Sequence, residues 1–333
     1  MKIAVIDDYQ DAFRALQCYA KLKGHEIVVY KDTEKDPARL AERLKDAEVV
    51  ILTQARSPFP RALIERLPNL RLISQTGRST GHIDIDACAR QGIVVSAAGF
   101  GTPHPTAELT WGLILAALRH IPYEVQRLKE GHWQSTVGVC VQGKTLGIYV
   151  YSRIGSLVAN VGRAFGARVV CWGRAGSLAR AREAGYEVAE NRSAFFAQSD
   201  ILSLHLPLNS ETRGIVTPED LARMKPSALI VNTSRAAIVA AGALVEALKA
   251  GRPGYAAVDV FEDEPVIAAV HPLLKMDNVI ATAHLGYVER DNYELYYGVV
   301  VDQILAYAAG TPVNVVNPGA VRKKSDLTFL PQL

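Results

Sequence analysis

Short apolar segments alternate with segments of helical character along most of the chain, in two successive series. The first series has its apolar segments near residues 2–7, 26–30, 49–52, 70–75 and 93–96. The second series has them near residues 145–149, 168–172, 201–204, 229–232, 255–260 and 279–281. Strands that alternate with helices form βαβ units, and such units build parallel sheets. The pattern therefore predicts an α/β protein with two doubly wound parallel sheets.

The segment GFGTPHPTAE interrupts this alternation, and its glycines and prolines mark a loop or hinge. A long helix is predicted after it, from about residue 106 to 118 and resuming to 129, and another helix spans about 291–309. A helix is also predicted for residues 11–22, and the tail after Pro312 has the character of a loop. At about 150 residues per domain, two domains are expected. We predict that residues 1–100 and 290–333 form one domain and that residues 101–289 form a second, inserted one.

Composition narrows the classes of function. Lys and Arg number 37 and Asp and Glu 34, a net charge of +3 with no long run of like charge, so no nucleic-acid partner is expected. The cysteines are too far apart for a metal site or a disulfide framework; they are Cys18, Cys88, Cys140 and Cys171. No apolar run approaches the ~20 residues of a membrane span. Since MKIAVIDDYQ lacks the features of a signal peptide, we predict a cytoplasmic protein.

The segment GKTLGIYVYSRIGSLVANVGRAFGARVVCWGR is typical of the strand, turn, helix and strand that bind a dinucleotide. The usual G-x-G-x-x-G fingerprint is here Val150, Ser152 and Gly155, so only the third glycine is present. Valine resists the positive φ of the first position, and a side chain at the second stands where the pyrophosphate passes. The segment therefore predicts either a nucleotide site of altered affinity or an ordinary βαβ packing unit.

The end of the second strand of this unit carries no acidic residue. An NAD-specific turn usually has Asp or Glu about 20 residues on, where it binds the ribose hydroxyls. Here the strand runs into Trp172, Gly173 and Arg174. Arg174 could pair with the 2′-phosphate of NADP or could be a solvated surface arginine. The choice between NAD and NADP stays open at this point.

Several further motifs occur in a characteristic order. They are LPNLRLISQTGR…HIDIDAC, PTAELTWGLILAALR, HLPLNSETRGIV, LIVNTSRAAIV, AAVDVFEDEP and HPLLKMDNVIATAHLGY. With the cofactor turn, they resemble the D-isomer-specific 2-hydroxyacid dehydrogenases, the phosphoglycerate and formate dehydrogenase group, from about residue 52 to 305. The resemblance implies two Rossmann-like domains, with the cofactor domain inserted in the substrate domain, and a homodimer built around the long helix. It also implies hydride transfer between NAD or NADP and a small D-2-hydroxy or 2-keto acid.

The resemblance assigns roles to individual residues. Arg235 of the NTSRA motif would grip the substrate carboxylate, for which a planar guanidinium is suited. His284 of TAHLGY would donate a proton to the carbonyl oxygen, and Glu264 of DVFEDEP would orient the ring and stabilise the imidazolium. Gly77 and Arg78 fall where the substrate domain of the family binds the carboxylate. The residues expected to contact the cofactor are Val150, Ser152, Arg153, Ile154, Gly155, Arg174, Pro207, Thr212, Thr233 and Asp259.

Other functions are compatible with the same motifs. Because the replaced glycines affect the cofactor turn and spare Arg235, Glu264 and His284, the scaffold could perform acid–base chemistry without a hydride. A non-catalytic, nucleotide-sensing module is a further alternative. The residues Val150 and Ser152 could be natural or engineered, and the sequence alone does not decide between the two.

Overall fold

The computed structural model describes residues 1–321, which form two compact units. The first unit comprises Met1–Thr102 and the segment that begins at Glu289, and the second comprises Pro103–Val288. Each unit is built on one parallel sheet with helices packed against it. The prediction of two doubly wound α/β units is confirmed.

The first unit begins with five strands in the order β2-β1-β3-β4-β5. The strands are β1 (Lys2–Ile6), β2 (Glu26–Val29), β3 (Val49–Leu52), β4 (Leu72–Thr76) and β5 (Val94–Ala98), and the helices between them are α1 (Pro37–Leu44), α2 (Arg61–Ile64) and α3 (Ile85–Arg90). Strands β3 and β4 are buried along their whole length, as expected for strands with helices on both faces. Helix α1 begins where the Asp36 carboxylate accepts the N–H groups of Ala38 and Arg39.

The second unit contains seven strands in the order β12-β11-β10-β9-β6-β7-β8. They are β6 (Thr145–Tyr149), β7 (Arg168–Trp172), β8 (Glu187–Val188), β9 (Ile201–Leu204), β10 (Leu229–Asn232), β11 (Tyr255–Val258) and β12 (Val279–Ala281). The strand order reverses between β6 and β9, and ligands of such sheets bind beyond the carboxyl ends of the strands at this reversal. The turns that follow β6, β9, β10, β11 and β12 are therefore the place to look for a site.

Seven α-helices belong to the second unit. They are α4 (His104–Leu118), α5 (Ile121–Lys129), α6 (Arg153–Ala164), α7 (Ala175–Glu183), α8 (Arg192–Gln198), α9 (Pro218–Arg223) and α10 (Ala243–Lys249). Helix α4 contacts α6, β10 and β11, and its Trp111 is buried with its indole N–H donating to the Val158 carbonyl at 3.1 Å. Helix α4 is thus part of the core of this unit.

The chain then completes the first unit through α11 (Arg290–Ala308), which packs against β4. The Tyr297 hydroxyl lies 2.8 Å from that of Thr53, and the Ser74 hydroxyl donates to Gln303 at 2.6 Å. Beyond α11, the Asn317 side chain bonds to the backbone beside β5, at Ile93 and Val95. The part of the predicted tail loop beyond residue 321 lies outside the described residues.

Some predicted elements differ from the structure. The helix predicted for residues 11–22 is wrong: two short 3₁₀ helices, Phe13–Ala15 and Gln17–Leu22, occur there. The Asp8 carboxylate accepts the N–H groups of Ala12 and Phe13, and extended backbone at Leu16 separates the two turns. The short helices α8 and α9 and strand β8 were not predicted. No helix within residues 1–321 is long and apolar enough to cross a membrane.

Candidate active site

The turn between β6 and α6 keeps the path of a dinucleotide-binding turn although two glycines are replaced. Val150 has φ +72°, the left-handed conformation that a glycine would adopt there without strain. A Cβ atom on Gly155 would lie 2.5 Å from the Val150 carbonyl oxygen, so this third glycine is required for close packing. Left-handed backbone at a non-glycine residue costs about 1–2 kcal/mol. The surrounding structure therefore holds Val150 in a strained conformation.

Ser152 is the N-cap of α6. Its hydroxyl accepts the Gly155 N–H at 3.2 Å, so the side chain is turned towards the helix end. The N–H groups of Arg153 and Ile154 have no hydrogen-bond partner in the part of the chain that the structure describes. Because the N-terminus of a helix attracts anions, these two groups could hold a pyrophosphate. The residues present are thus compatible with a dinucleotide at this turn.

The presence of Val150 and Ser152 in place of two glycines leads to a testable prediction for nucleotide binding. We expect Val150→Gly combined with Ser152→Gly to lower the dissociation constant for NADH by roughly tenfold, because the pyrophosphate no longer meets the Ser152 side chain, the Gly155 N–H becomes available and position 150 is relieved of its strain. Titration of protein fluorescence or calorimetry measures this constant. Val139→Gly, in the loop before β6, controls for added backbone flexibility. An unchanged constant in the double variant would contradict the steric argument.

At the end of β7, Arg174 forms an ion pair with Glu211, which lies in the loop that follows β9. Both side chains are exposed, at 69% and 68%. The sequence did not identify Glu211, because only the fold brings these two loops together. The pair places a carboxylate beside Arg174, the cation for which the sequence suggested a role in binding a 2′-phosphate.

The loop after β9 also contains Pro207 and Thr212. The buried Thr212 hydroxyl donates to the Pro207 carbonyl at 2.6 Å and accepts the Asn209 N–H at 2.8 Å. These bonds make the loop after β9 a closed turn.

His205, at the start of the same loop, is buried next to Gly155 of the turn between β6 and α6. Burial lowers the pKa of His205 to about 3. His205 is therefore a neutral packing residue under the turn.

Arg235 follows β10, and its loop is tightly held. The Asn232 side chain donates to the Arg235 carbonyl at 3.0 Å, and the Ser234 hydroxyl donates to the Leu204 carbonyl at 2.6 Å. The guanidinium itself is exposed, with one N–H donating to the Ser234 carbonyl. The backbone is thus fixed while the remaining guanidinium donors are available to a ligand.

His284 and Glu264 form a direct pair. His284 Nδ1 lies 2.5 Å from Glu264 Oε2, and the second oxygen of Glu264 accepts the Phe261 N–H at 2.9 Å. Each side chain is roughly one-fifth exposed, at 22% and 23%. With both carboxylate oxygens occupied, Glu264 holds the imidazole at Nδ1. The Nε2 atom has no protein partner among residues 1–321 and is available for proton transfer.

A second His–Glu pair lies close in sequence and differs in this respect. His271 Nε2 lies 2.9 Å from Glu262, and His271 Nδ1 accepts the Leu273 N–H at 3.3 Å. Both ring nitrogens of His271 are therefore occupied within the chain. Of these two histidines, only His284 combines an acidic partner on one nitrogen with an open second nitrogen, which distinguishes a general acid from a structural histidine.

Asp259, just after β11, anchors the loop that carries His284. Its Oδ1 accepts the Thr282 hydroxyl at 2.6 Å and the Leu285 N–H at 2.7 Å, and its Oδ2 accepts the Gly286 N–H at 2.8 Å. Burial raises the pKa of Asp259, although these three donors oppose the rise. His284 has φ +54°, so this loop holds a non-glycine residue in left-handed backbone.

The structure therefore gathers most of the predicted site residues at the carboxyl end of one sheet. The turns after β6, β9, β10, β11 and β12 carry them. Gly77 and Arg78 belong to the first unit, after β4. There Gly77 has φ +82°, and the Arg78 guanidinium stacks over the Phe100 ring at 3.8 Å.

Comparison with known proteins agrees with this arrangement. Residues 111–286 match the family model for the NAD binding domain of D-isomer specific 2-hydroxyacid dehydrogenases. The chain is 38% identical over 272 residues to a glyoxylate reductase of Aeropyrum pernix, covering 78% of this chain and 80% of that protein. A crystal structure of a phosphoglycerate oxidoreductase from Vibrio cholerae superposes with a TM-score of 0.89 at 45% identity, covering 93% of this chain and 99% of that one.

A longer relative is also similar. The chain is 35% identical over 321 residues to a D-3-phosphoglycerate dehydrogenase of Methanocaldococcus jannaschii. The match covers 95% of this chain and 59% of that protein, so the chain spans little more than half of the length of this relative. The similarity to these proteins extends over both units.

Proposed function

The chain belongs to the D-isomer-specific 2-hydroxyacid dehydrogenase family, and from this premise we propose that it reduces a small 2-keto acid to the D-2-hydroxy acid with NADH. One observation carries the proposal: Glu264 holds His284 at Nδ1 and leaves Nε2 open, on the same sheet edge as the exposed guanidinium of Arg235. A proton donor and a carboxylate clamp are the two groups that reduction of a 2-keto acid requires from a protein.

The proposed mechanism assigns one task to each side chain. Arg235 binds the substrate carboxylate and polarises the adjacent carbonyl group. NADH, when bound, supplies the hydride to the carbonyl carbon. His284 donates a proton from Nε2 to the carbonyl oxygen, so that the keto group becomes a hydroxyl group. Glu264 stabilises the protonated ring beforehand and keeps it oriented, and a proton from solvent then restores His284.

Residues of the second unit would hold the cofactor. The N–H groups of Arg153 and Ile154 are available for the pyrophosphate, and the closed turn of Pro207 and Thr212 would border the nucleotide. Asp259 is fully buried and would support the nicotinamide end of the site through the His284 loop that it anchors. We assign this unit as the dinucleotide-binding domain and the first unit as the substrate domain, with Gly77 and Arg78 contributing to carboxylate binding.

We propose NAD rather than NADP because Glu211 neutralises Arg174 and would repel a 2′-phosphate. Glu211→Gln is therefore expected to lower the dissociation constant for NADPH by roughly tenfold, with little change for NADH. Binding titrations with both nucleotides measure the shift. Glu246→Gln, at another exposed acid paired with a nearby lysine, serves as the control. Equal affinity for NADPH before and after the Glu211 change would contradict the assignment.

Turnover assays test the proposed reaction. The fall in NADH absorbance is followed with glyoxylate, pyruvate, hydroxypyruvate and larger 2-keto acids, and the preferred acid identifies the substrate class. Oxidation of NADH with at least one of them supports the proposal. If calorimetry shows no binding of NADH or NADPH and no acid is reduced, the alternative of non-redox acid–base chemistry, motivated by Val150 and Ser152, replaces it.

We also propose that the protein is a homodimer. Helix α5 buries none of its residues, and it exposes Ile121, Val125 and Leu128, with Trp133 exposed just beyond it at 77%. We call these four residues the α5 patch. A short helix without a packed face is marginally stable, and a contiguous apolar surface of this kind marks an interface. The partner we propose is a second copy of the chain. In a dimer with two-fold symmetry, the α5 patch of one copy contacts the α5 patch of the other.

Disruption of the α5 patch gives the corresponding prediction. Leu128→Glu is expected to convert the dimer to a monomer at micromolar concentration, because it places a charge in an apolar contact. Light scattering coupled to gel filtration measures the mass. Leu295→Glu, at a comparably exposed leucine on α11, should leave the mass unchanged. A wild-type protein that elutes as a monomer would refute the proposal.

A further inference from the structure

Two threonines of α4 connect the loops that carry Arg235 and His284. Thr106 and Thr110 are one helical turn apart and therefore lie on the same face of the helix. The Thr106 hydroxyl donates to the Gly286 carbonyl at 2.7 Å, and the Thr110 hydroxyl lies 2.8 Å from that of Thr233. Gly286 is two residues after His284, and Thr233 is two residues before Arg235. One helix face is thus bonded to both loops.

The direction of these hydrogen bonds is determined by the available protons. The Thr110 hydroxyl donates its single proton to the Thr106 carbonyl at 2.7 Å, because a carbonyl oxygen can only accept. The Thr233 hydroxyl must therefore donate to Thr110. Thr110 is fully buried and Thr233 nearly so, which excludes water as an easy substitute for either partner.

The loop of His284 is held from both sides by this arrangement. Asp259 binds the Leu285 and Gly286 N–H groups, while Thr106 binds the Gly286 carbonyl. A Cβ atom on Gly286 would lie 3.2 Å from Asp259 and 3.3 Å from the Thr106 hydroxyl, so the backbone is packed closely between them. The left-handed backbone of His284 persists where surrounding contacts of this kind determine it.

We propose that Thr106 and Thr110 are positioning residues that set the separation of Arg235 and His284 through α4. This inference rests on the proposed function, because the two loops act on the same substrate in it. Neither threonine touches the reacting groups. Misplacement of a reacting group by about 1 Å can reduce the rate roughly 100-fold, so small shifts of either loop are enough to matter.

The test compares threonine-to-valine changes that preserve shape and remove only the hydroxyl. Thr110→Val and Thr106→Val are each expected to lower kcat roughly 10- to 100-fold. Thr110→Ser, which retains the hydroxyl, should restore most of kcat. Thr53→Val is the matched control, since the buried Thr53 hydroxyl likewise bonds a carbonyl and a hydroxyl, those of Ile6 and Tyr297. Thr53→Val should lose comparable stability to urea and keep its kcat.

A second readout does not depend on turnover. The ring-proton NMR signals of His284, assigned by comparison with His284→Gln, should shift in Thr106→Val and stay unchanged in Thr53→Val. Unchanged His284 signals together with a wild-type kcat in both α4 variants would overturn the inference, as would losses of kcat that merely follow lost stability in every variant. A wild-type enzyme that reduces no 2-keto acid would instead refute the proposed function, and the His284 signals would still report on the positioning.

Discussion

Arg235→Lys is expected to lower kcat/KM for the 2-keto acid by roughly 10³-fold, with folding and NADH binding unchanged. The planar guanidinium can donate two parallel hydrogen bonds to a carboxylate, and lysine offers a single point charge on a flexible stem. The loop around Arg235 is fixed by Asn232 and Ser234, so backbone movement cannot compensate for the loss of the second parallel hydrogen bond.

Steady-state kinetics measures this effect, and Arg223→Lys provides the control. Arg223 is an exposed arginine at the end of α9 that bonds Ser193 and has no proposed role at the site. The loss in Arg235→Lys should be greater for short acids, whose carboxylate supplies most of their binding. A variant that keeps wild-type kcat/KM would show that Arg235 does not bind the substrate carboxylate.

His284→Gln is expected to lower kcat by roughly 10³-fold, because general acid catalysis contributes about 10²- to 10⁴-fold and glutamine cannot donate a proton to the developing alkoxide. The dissociation constant for NADH should change little. His271→Gln is a closely matched control, since His271 also pairs with a glutamate but has both ring nitrogens occupied. We expect near-normal kcat in the His271 variant, and equal losses in both variants would refute the assignment of His284.

Much of the fold could be predicted because buried parallel strands are short and apolar throughout. Segments such as VVIL of β3 and LIVN of β10 are recognisable without a structure. The region around residues 11–22 was mispredicted because its conformation depends on Asp8, whose carboxylate binds two N–H groups at the start of the first turn, and on the extended backbone at Leu16, which ends that turn. Local side-chain bonds of this kind compete with helix formation and leave little trace in periodicity.

The candidate site was predictable where a motif places one residue at the end of one strand. Arg235, Glu264 and His284 are of this type, and the structure pairs Glu264 with His284. Contacts between separate loops were not predictable in the same way. Glu211 meets Arg174 only because β7 and β9 flank β6, and Thr110 meets Thr233 only because α4 packs beside β10.

Val150 and Ser152, which stand where the fingerprint has glycines, fit the turn in two different ways. Val150 accepts a strained left-handed conformation, and Ser152 turns its hydroxyl onto the end of α6, so the path of the turn is preserved. The prediction that nucleotide affinity is altered stays a prediction, and the double glycine variant measures it. Strain maintained at one residue is common near functional sites, where the surrounding structure holds it in place.

The most direct test of the proposed reaction follows the hydride itself. The protein is incubated with a 2-keto acid and NADH deuterated at the transferred position, and the product is separated on a chiral column and analysed by mass spectrometry. The expected product is a D-2-hydroxy acid that carries one deuterium on the carbon of the new hydroxyl group. An L-product, or a product without deuterium, would contradict the proposed reaction.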